Sequence, residues 1–558
     1  MLGLFAHNIE KTPIATLMRP VITVVAVALV LWCICWALTR NRYKGGVMAS
    51  ALVLAALPGW SVLENSIAVA VPIVGEWGDF VFYTLYIALT AAVGAALYRW
   101  GPQRLRSWRW LAGLAGLAVV IAATVEGLMA PAFGRGASWC IAAYLVVVIG
   151  VVIYLALRRS GFILMTRTAN WFAAILIGLS VANIAYNWQG AESINPTPLA
   201  ALDEAVANAN NKPDIYLIVL DGYPRHDMLR DVYAYNNLPF LNNLRGLGLT
   251  MPGNSMANYP EPILALASLL NMDYVHRAAG EEADEVTLAH AVELYHNNRA
   301  FAALAENGYD IIVFPPGLTL LEPRLNVEVN RPADILNEFE MVLAGRTAAS
   351  RMLQAWNYII HRDNLNLREV VERRRVFHVF DGLAELAAAP SERPRMVYAY
   401  LSIPGPPFLF SRDSGRAEPS SVVTQDTRDL LSGAWSDYVQ AYVDQLTFTN
   451  RRLEQTVTRI LEAADEPPVI LITSCHGVGV YRNELRWAPP EMLMSNLTLL
   501  SLPGQEDAGL DTNAVSLVNL LRVAFNQVFD ADLPMLEDEL VWPQAEETPP
   551  PVDSAARP

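Results

Sequence analysis

The chain of 558 residues is 53% hydrophobic and 17% charged, with a mean hydropathy of +0.27. Soluble domains carry about 25% charged residues, so part of the chain belongs in a non-aqueous environment, and a disordered chain, a collagen and a disulfide-rich mini-protein are excluded. Residues 1–190 hold 13 Lys+Arg against 5 Asp+Glu and the remainder 27 against 50, so the acidic second part argues against binding nucleic acid or an anionic lipid surface through bulk charge.

Apolar runs near 20–39, 46–66, 79–98, 110–130, 137–157 and 168–187 each approach the ~20 residues that a membrane-spanning helix needs. A cleaved signal peptide would not recur along the chain. These runs predict an N-terminal polytopic α-helical membrane bundle over 1–188. Arg40, Arg42 and Lys44, then Arg99, Arg104, Arg106 and Arg109, then Arg158, Arg159 and Arg167 fill alternate gaps. Basic short loops face the cytoplasm, which puts everything after Trp188 on the opposite side. Lys11 and Arg19 run mildly against this placement, and Met1–Ile9 could be the tail of a further, partial helix before residue 20. Glu126 reads as an interfacial side chain rather than a proton relay. Asn170 and Asn183 could bond neighbouring helices. With no paired half-helices or acidic chains, the bundle reads as an anchor and not a transporter. Cys33, Cys35 and Cys140 sit in apolar runs and Cys475 stands alone, a spacing that suggests neither a disulfide framework nor a zinc ribbon.

Residues 189–212 are polar with two prolines and read as a tether; 213–545 suffice for one large α/β domain. Residues 546–558 hold four prolines and read as a disordered tail. Within the α/β domain, Asp214–Leu220, Asp310–Phe314, Met396–Ser402, Val469–Thr473 and Leu497–Leu502 predict strands. Glu261–Asn271, Asn298–Asn307, Ser436–Ala463 and Asn513–Val528 predict helices. Alternating elements point to a mostly parallel central sheet with helices on both faces. Chemistry in such sheets lies beyond the carboxyl ends of the strands. Two of the strands run into polar residues there: Asp221, and Ser474-Cys475-His476-Gly477. A carboxylate at one strand end and an imidazole at another begin a divalent metal site, suited to zinc or manganese, although a strand-terminal Asp also commonly caps a turn.

At these residues the chain resembles the membrane-anchored sulfatase-like proteins of the alkaline phosphatase superfamily, relatives of lipoteichoic acid synthases and phosphoethanolamine transferases. The resemblance runs through PDIYLIVLDGYPRHD, PFLNNLRGLG, NSMANYPEPILALASLLNM, MVYAYLSIPGPPFLF, YVQAYVDQLTFTNRRLEQTV, PPVILITSCHGVGV and SLVNLLRVAFNQVF. It implies an alkaline-phosphatase-like domain and in-line phosphoryl or sulfuryl transfer from a hydroxyl nucleophile at the head of the helix after the first strand. Against that pattern, Pro262 occupies the nucleophile position. Tyr400 and Gly405 replace two histidines in YLSIPGPPF. Cys475 replaces a ligand carboxylate, which leaves Asp221 and His476 as matching metal ligands. Cys475 could complete a zinc site as thiolate. Ser255 is a weak substitute for the missing nucleophile and Ser268 a weaker one, and the formylglycine sequence Cys/Ser-x-Pro-x-Arg does not occur near the helix start.

Two further groups draw notice. Arg373, Arg374 and Arg375 could clamp an anion, but read more simply as a solvated helix face laced with ion pairs. His226 beside Asp227 reads as a surface turn. The remaining histidines form no spacing with a chemical meaning. The sequence thus leads to an extracytoplasmic sulfatase-like domain, catalytically degenerate, anchored in the lipid bilayer. It would act as a binding or assembly component toward an envelope lipid, a surface polymer or a protein partner. The alternative is an active metal-dependent phosphoryl, phosphodiester or sulfate ester transferase or hydrolase with a rearranged site.

Overall fold

The computed structural model describes residues 15–54, isolated positions between 148 and 178, and 196–541 apart from 281–286, 318–320, 322–326, 333–339, 342–366, 414–434, 478–489 and 504–514. It divides into two units, Met1–Gln189 with Leu336–Val370 and Gly190–Ile335 with Val371–Pro558.

In the first unit, helix α1 (Ala15–Thr39) starts earlier than the sequence predicts. Its Ile22–Thr39 stretch is, among the described residues, the one segment long and apolar enough to cross a membrane. Large side chains such as Ile22, Val30 and Leu38 are exposed along it rather than packed into a core. The helix stops where Arg40 turns left-handed (φ 49°). Asn41 then caps α2 (Arg42–Leu54), its Oδ1 accepting from the main-chain N–H groups of Tyr43 at 3.0 Å and Lys44 at 3.1 Å. At Gly45 an added Cβ would lie 2.7 Å from the Trp36 nitrogen, so only glycine lets these two backbones approach so closely. The basic gap Arg40–Lys44 is thus a tight interhelical turn. The spans expected near 79–98 and 110–130 lie outside the described residues. Only parts of those near 46–66, 137–157 and 168–187 lie within them, and the six-span bundle therefore stays an expectation.

The second unit is built on a sheet of order β4-β3-β5-β1-β6-β7. Its strands are β1 (Ile215–Asp221), β3 (Asp310–Phe314), β4 (Glu328–Val329), β5 (Arg395–Pro404), β6 (Val469–Ser474) and β7 (Thr498–Ser501). All neighbours are parallel except β6 and β7. A separate parallel pair joins β2 (Ser255–Met256) to β8 (Val515–Ser516). The continuous apolar run of β1 is explained by its central place, since six of its seven residues are buried. Side chains alternate between the two faces. Ile215, Leu217 and Val219 enter one core with α6 (Pro262–Asn271) and α11 (Leu517–Phe529). Tyr216, Ile218 and Leu220 enter the other with α9 (Leu367–Ala388, from Val371 onward) and α10 (Trp435–Ala463). Each fully buried aliphatic side chain contributes roughly 1.5–3 kcal/mol relative to exposure.

Other described helices of eight or more residues in this unit are α3 (Ala200–Asn208), α4 (His226–Tyr233), α5 (Leu238–Gly246), α7 (Leu288–His296) and α8 (Arg299–Glu306). Helix α3 corrects the expected tether over 189–212: Leu202 and Val206, one turn apart, are fully buried in the first core. The Arg373–Arg375 cluster is corrected too. Arg375 is buried, paired with Glu372 at 2.7 Å, and donates to the Pro316 carbonyl at 3.1 Å. Arg373 donates to the Leu409 carbonyl and lies 4.5 Å over the Phe410 ring. Arg374 alone of the three is exposed. The proline-rich tail over 546–558 lies outside the described residues.

Candidate metal centre at the ends of three strands

The middle strands β5, β1 and β6 end together. Leu220 is in register with Leu401 on one side and Ser474 on the other, and an irregularity after Leu220 brings Asp221 opposite Pro404. Four hydrogen bonds hold the turns that follow. The Ser474 hydroxyl accepts from the Tyr223 N–H at 2.9 Å and donates to the His476 carbonyl at 2.7 Å. The Gly405 N–H donates to the Asp221 carbonyl at 2.8 Å, and the Cys475 N–H to the Leu220 carbonyl at 3.0 Å. Gly222 turns with φ +65°, where an added Cβ would meet the Gly405 Cα at 3.3 Å and His476 Cε1 at 3.5 Å. Both the backbone angle and the crowding therefore require glycine.

This framework brings Asp221, Cys475 and His476 together, with their ligand-type atoms all within 4.8 Å of one another. His476 Nε2 lies 2.9 Å from Asp221 Oδ1, and Cys475 Sγ donates to the same oxygen at 3.4 Å. The fully buried Tyr400 places its hydroxyl 3.9 Å from Sγ. Cys475 has no solvent exposure, whereas the Asp221 side chain keeps 22% and that of His476 10%, so the cluster opens past the carboxylate.

The charges are coupled. Burial opposes ionisation of Asp221, but the hydrogen bond and charge of His476, with the Cys475 and Tyr400 hydrogen bonds, hold its carboxyl below the usual range. Burial likewise opposes charging of His476, but Asp221 and the Gly477 carbonyl raise its pKa overall. Burial and then the Asp221 charge push the Cys475 thiol well above its ordinary value, and the same two causes, with Cys475 adding to them, raise Tyr400.

The imidazole shows what the cluster can hold. Its Nδ1 donates to the Gly477 carbonyl at 3.0 Å, so both ring nitrogens face oxygen acceptors. A neutral ring held this way would point its Nε2 lone pair at a carboxylate. The contact needs positive charge between them, either the imidazolium proton or a metal ion. The carbonyl bond to Nδ1 is also the orienting contact that metal-bound histidines commonly have. Carboxylate, imidazole and sulfur are zinc-type donors, and these residues fit a divalent ion.

Pro262 opens α6, behind the uncapped turn of Glu261. The Glu261 carboxylate adds to the rise at His476, so the head of α6 lies within electrostatic reach of the cluster. Ser255 is buried on β2 and its hydroxyl donates to the Asn496 carbonyl. Ser268, buried in α6, donates to the Asp273 carbonyl at 2.8 Å. Both hydroxyl protons are committed to the main chain. His226 starts α4, between Arg225 and Asp227, which pair at 2.8 Å.

Sequence reasoning missed Gln445. This fully buried side chain donates to the carbonyls of Pro404 at 3.1 Å, Gly405 at 2.7 Å and Pro407 at 3.3 Å, and accepts from the N–H groups of Leu409 at 2.6 Å and Phe410 at 3.3 Å. The signal was present: Tyr438, Tyr442, Gln445 and Thr449 are spaced as one helix face, and all four are buried.

No family model and no curated protein matches the chain. Solved structures do. The zinc complex of the C-terminal periplasmic domain of EcEptC from Escherichia coli is 15% identical, over 61% of this chain and 90% of that one, with a TM-score of 0.37. The soluble domain of lipooligosaccharide phosphoethanolamine transferase A from Neisseria meningitidis is 12% identical, over 63% and 96%, at 0.35. A phosphonate monoester hydrolase from Silicibacter pomeroyi is 13% identical, over 57% and 73%, at 0.37. Likeness at this level decides neither ligand nor reaction.

Proposed function

We propose that the chain is a membrane-anchored, extracytoplasmic sulfatase-like protein that binds at this site without transferring a phosphoryl or sulfuryl group. It would serve as a binding or assembly component of an envelope or surface-polymer pathway. The observation that carries this reading is Pro262 at the first position of α6. The ring suits a helix start but offers no attacking oxygen, and the hydroxyls of Ser255 and Ser268 are both engaged by main-chain carbonyls. Loss of a nucleophile typically costs orders of magnitude in rate. The apolar helix Ile22–Thr39, with the basic short loops, supports anchoring with the acidic domain away from the cytoplasm.

The test uses the full chain in detergent, assayed on aryl phosphate, phosphodiester and sulfate esters with added zinc, manganese or calcium. Turnover no higher than that of Asp221→Ala is expected. Turnover that disappears in Asp221→Ala or His476→Ala would overturn the reading. It would favour the second one, an active metal-dependent ester transferase or hydrolase with a rearranged site, for which the Asp221–Cys475–His476 cluster is the supporting observation.

A further inference from the structure

We propose that Asp221 Oδ1, Cys475 Sγ and His476 Nε2 hold a single zinc-class divalent ion through a thiolate, in preference to manganese or calcium. The proposal rests on the reading of this cluster as the chain's binding site and names what binds there.

Three observations carry it. First, Asp221 Oδ1 stands at distances from the other two donors close to those around one tetrahedral ion, and all three donors lie within 4.8 Å of one another. With metal–ligand bonds of about 2.0 Å to oxygen and nitrogen and 2.3 Å to sulfur, neighbouring donors lie about 3.3 Å (oxygen to nitrogen) and 3.5 Å (oxygen to sulfur) apart. The structure has 2.9 Å from Oδ1 to Nε2 and 3.4 Å from Oδ1 to Sγ. Second, each donor is already aimed. The Gly477 carbonyl takes Nδ1 and leaves Nε2 facing Asp221, while Cys475 is fixed through its N–H on Leu220. Third, the donor set is chemically selective. Manganese and calcium favour sets of six or more oxygens, and this cluster offers one carboxylate, one imidazole and one sulfur, backed by the buried Tyr400 hydroxyl 3.9 Å from Sγ. No described carboxylate other than Asp221 belongs to the cluster.

Binding forms metal–sulfur, metal–nitrogen and metal–oxygen bonds and breaks the Cys475 S–H bond and the His476 Nε2–H bond of the imidazolium. Both protons leave to solvent on the partly exposed Asp221 side, and no atom changes oxidation state. Three protein donors leave one coordination position that the protein does not fill.

The experiment strips the full chain, in detergent, with a chelator, then titrates it with cobalt(II) and competes with zinc and manganese. Stoichiometric cobalt should give the near-ultraviolet sulfur-to-cobalt charge-transfer absorption, and zinc should abolish it. Manganese should leave the band in place and stay free by electron paramagnetic resonance. The band should persist in Cys33→Ser/Cys35→Ser/Cys140→Ser and vanish in Cys475→Ser, whose cobalt affinity should fall about 10–100-fold. Cys475→Asp should lose the band and gain manganese affinity. Failure to bind cobalt, cobalt bound without the band, a band that follows the other cysteines, or manganese held as tightly as zinc would each overturn the proposal. If the Cys475 variants do not fold, the wild-type competition and the other-cysteine variant still decide. Absent metal together with absent ester turnover would sink this site and leave the non-transferring reading standing. Turnover with a thiolate-bound ion would do the reverse.

Discussion

Gln445 binds Gly405 through its side-chain amide, 2.7 Å from Nε2 to the carbonyl oxygen, and Gly405 in turn donates to the Asp221 carbonyl at 2.8 Å. One side chain on α10 therefore fixes the loop that flanks the metal-type cluster. Replacing it with alanine strands several buried main-chain groups, each costing about 1–3 kcal/mol when unpaired. Gln445→Ala should lower the denaturant midpoint of the α/β domain by more than any single surface change. Gln445→Glu should recover part of the loss, because its carboxylate can still accept from Leu409 and Phe410. Equal losses in both variants would show that the amide donor contacts carry the loop.

A second expectation concerns Gly405. Its added Cβ would stand 3.0 Å from the Asp221 carbonyl oxygen, which is itself hydrogen-bonded to the Gly405 nitrogen. Gly405→His, which places there the residue that the family resemblance calls for, should therefore destabilise the domain by about 1–3 kcal/mol, as overpacking does. A stability unchanged from wild type would mean that the turn yields readily.

Gly477 offers a sharper case. A Cβ there would overlap the carbonyl oxygens of Ser495 and Leu493, and neither is the tip of a flexible side chain. Gly477→Ala should displace His476 as well as destabilise the fold. It should weaken cobalt binding by about 10-fold or more, the scale of losing an orienting contact. The cobalt titration described above measures it.

Tyr223, Asn237 and Asn450 form a buried ring of hydrogen bonds. Tyr223 donates to Asn450 at 2.6 Å, Asn450 to Asn237 at 2.8 Å, and Asn237 back to Tyr223 at 2.9 Å. Tyr223→Phe breaks two of the three and should cost about 1–3 kcal/mol by leaving amide groups unpaired. In a double-mutant cycle with Asn450→Ala the losses should be non-additive, as expected within one network.

Arg395 joins the starts of β1 and β5. It meets Asp214 at 2.7 Å and also donates to the Leu386 carbonyl at 2.6 Å and the Ala389 carbonyl at 3.1 Å. Arg395→Ala should cost about 3–5 kcal/mol, the range for breaking a buried pair, and more than Asp214→Asn. Equal costs would imply that the two carbonyl contacts contribute little.

Much of the sheet was legible because β1, β3, β5 and β6 are short apolar runs buried on both faces, a signal local to each strand. The pairing of β2 with β8 was not, since two residues make no pattern. Nor was the docking of α3, whose apolar content is little more than Leu202 and Val206 one turn apart. Asp221 and His476 could be found because polar residues ending an apolar strand stand out. Cys475 was readable only through the resemblance. Arg375 misled, because a charged run is usually solvated and the Glu372 and Pro316 partners that bury it are set by tertiary contact. Gln445 escaped because its helix spacing looked apolar enough without it.

Strand β1 runs through the interior of the sheet, paired on one side with β5 and on the other with β6, and Asp221 is its last residue. Amide protons in such a strand exchange with solvent only through openings approaching complete unfolding. The carboxylate at its tip therefore inherits the rigidity of the most protected part of the molecule. A ligand arriving there would meet a rim already set, and the slowest-exchanging amides, those of Val219 and Leu220, would mark the floor beneath it.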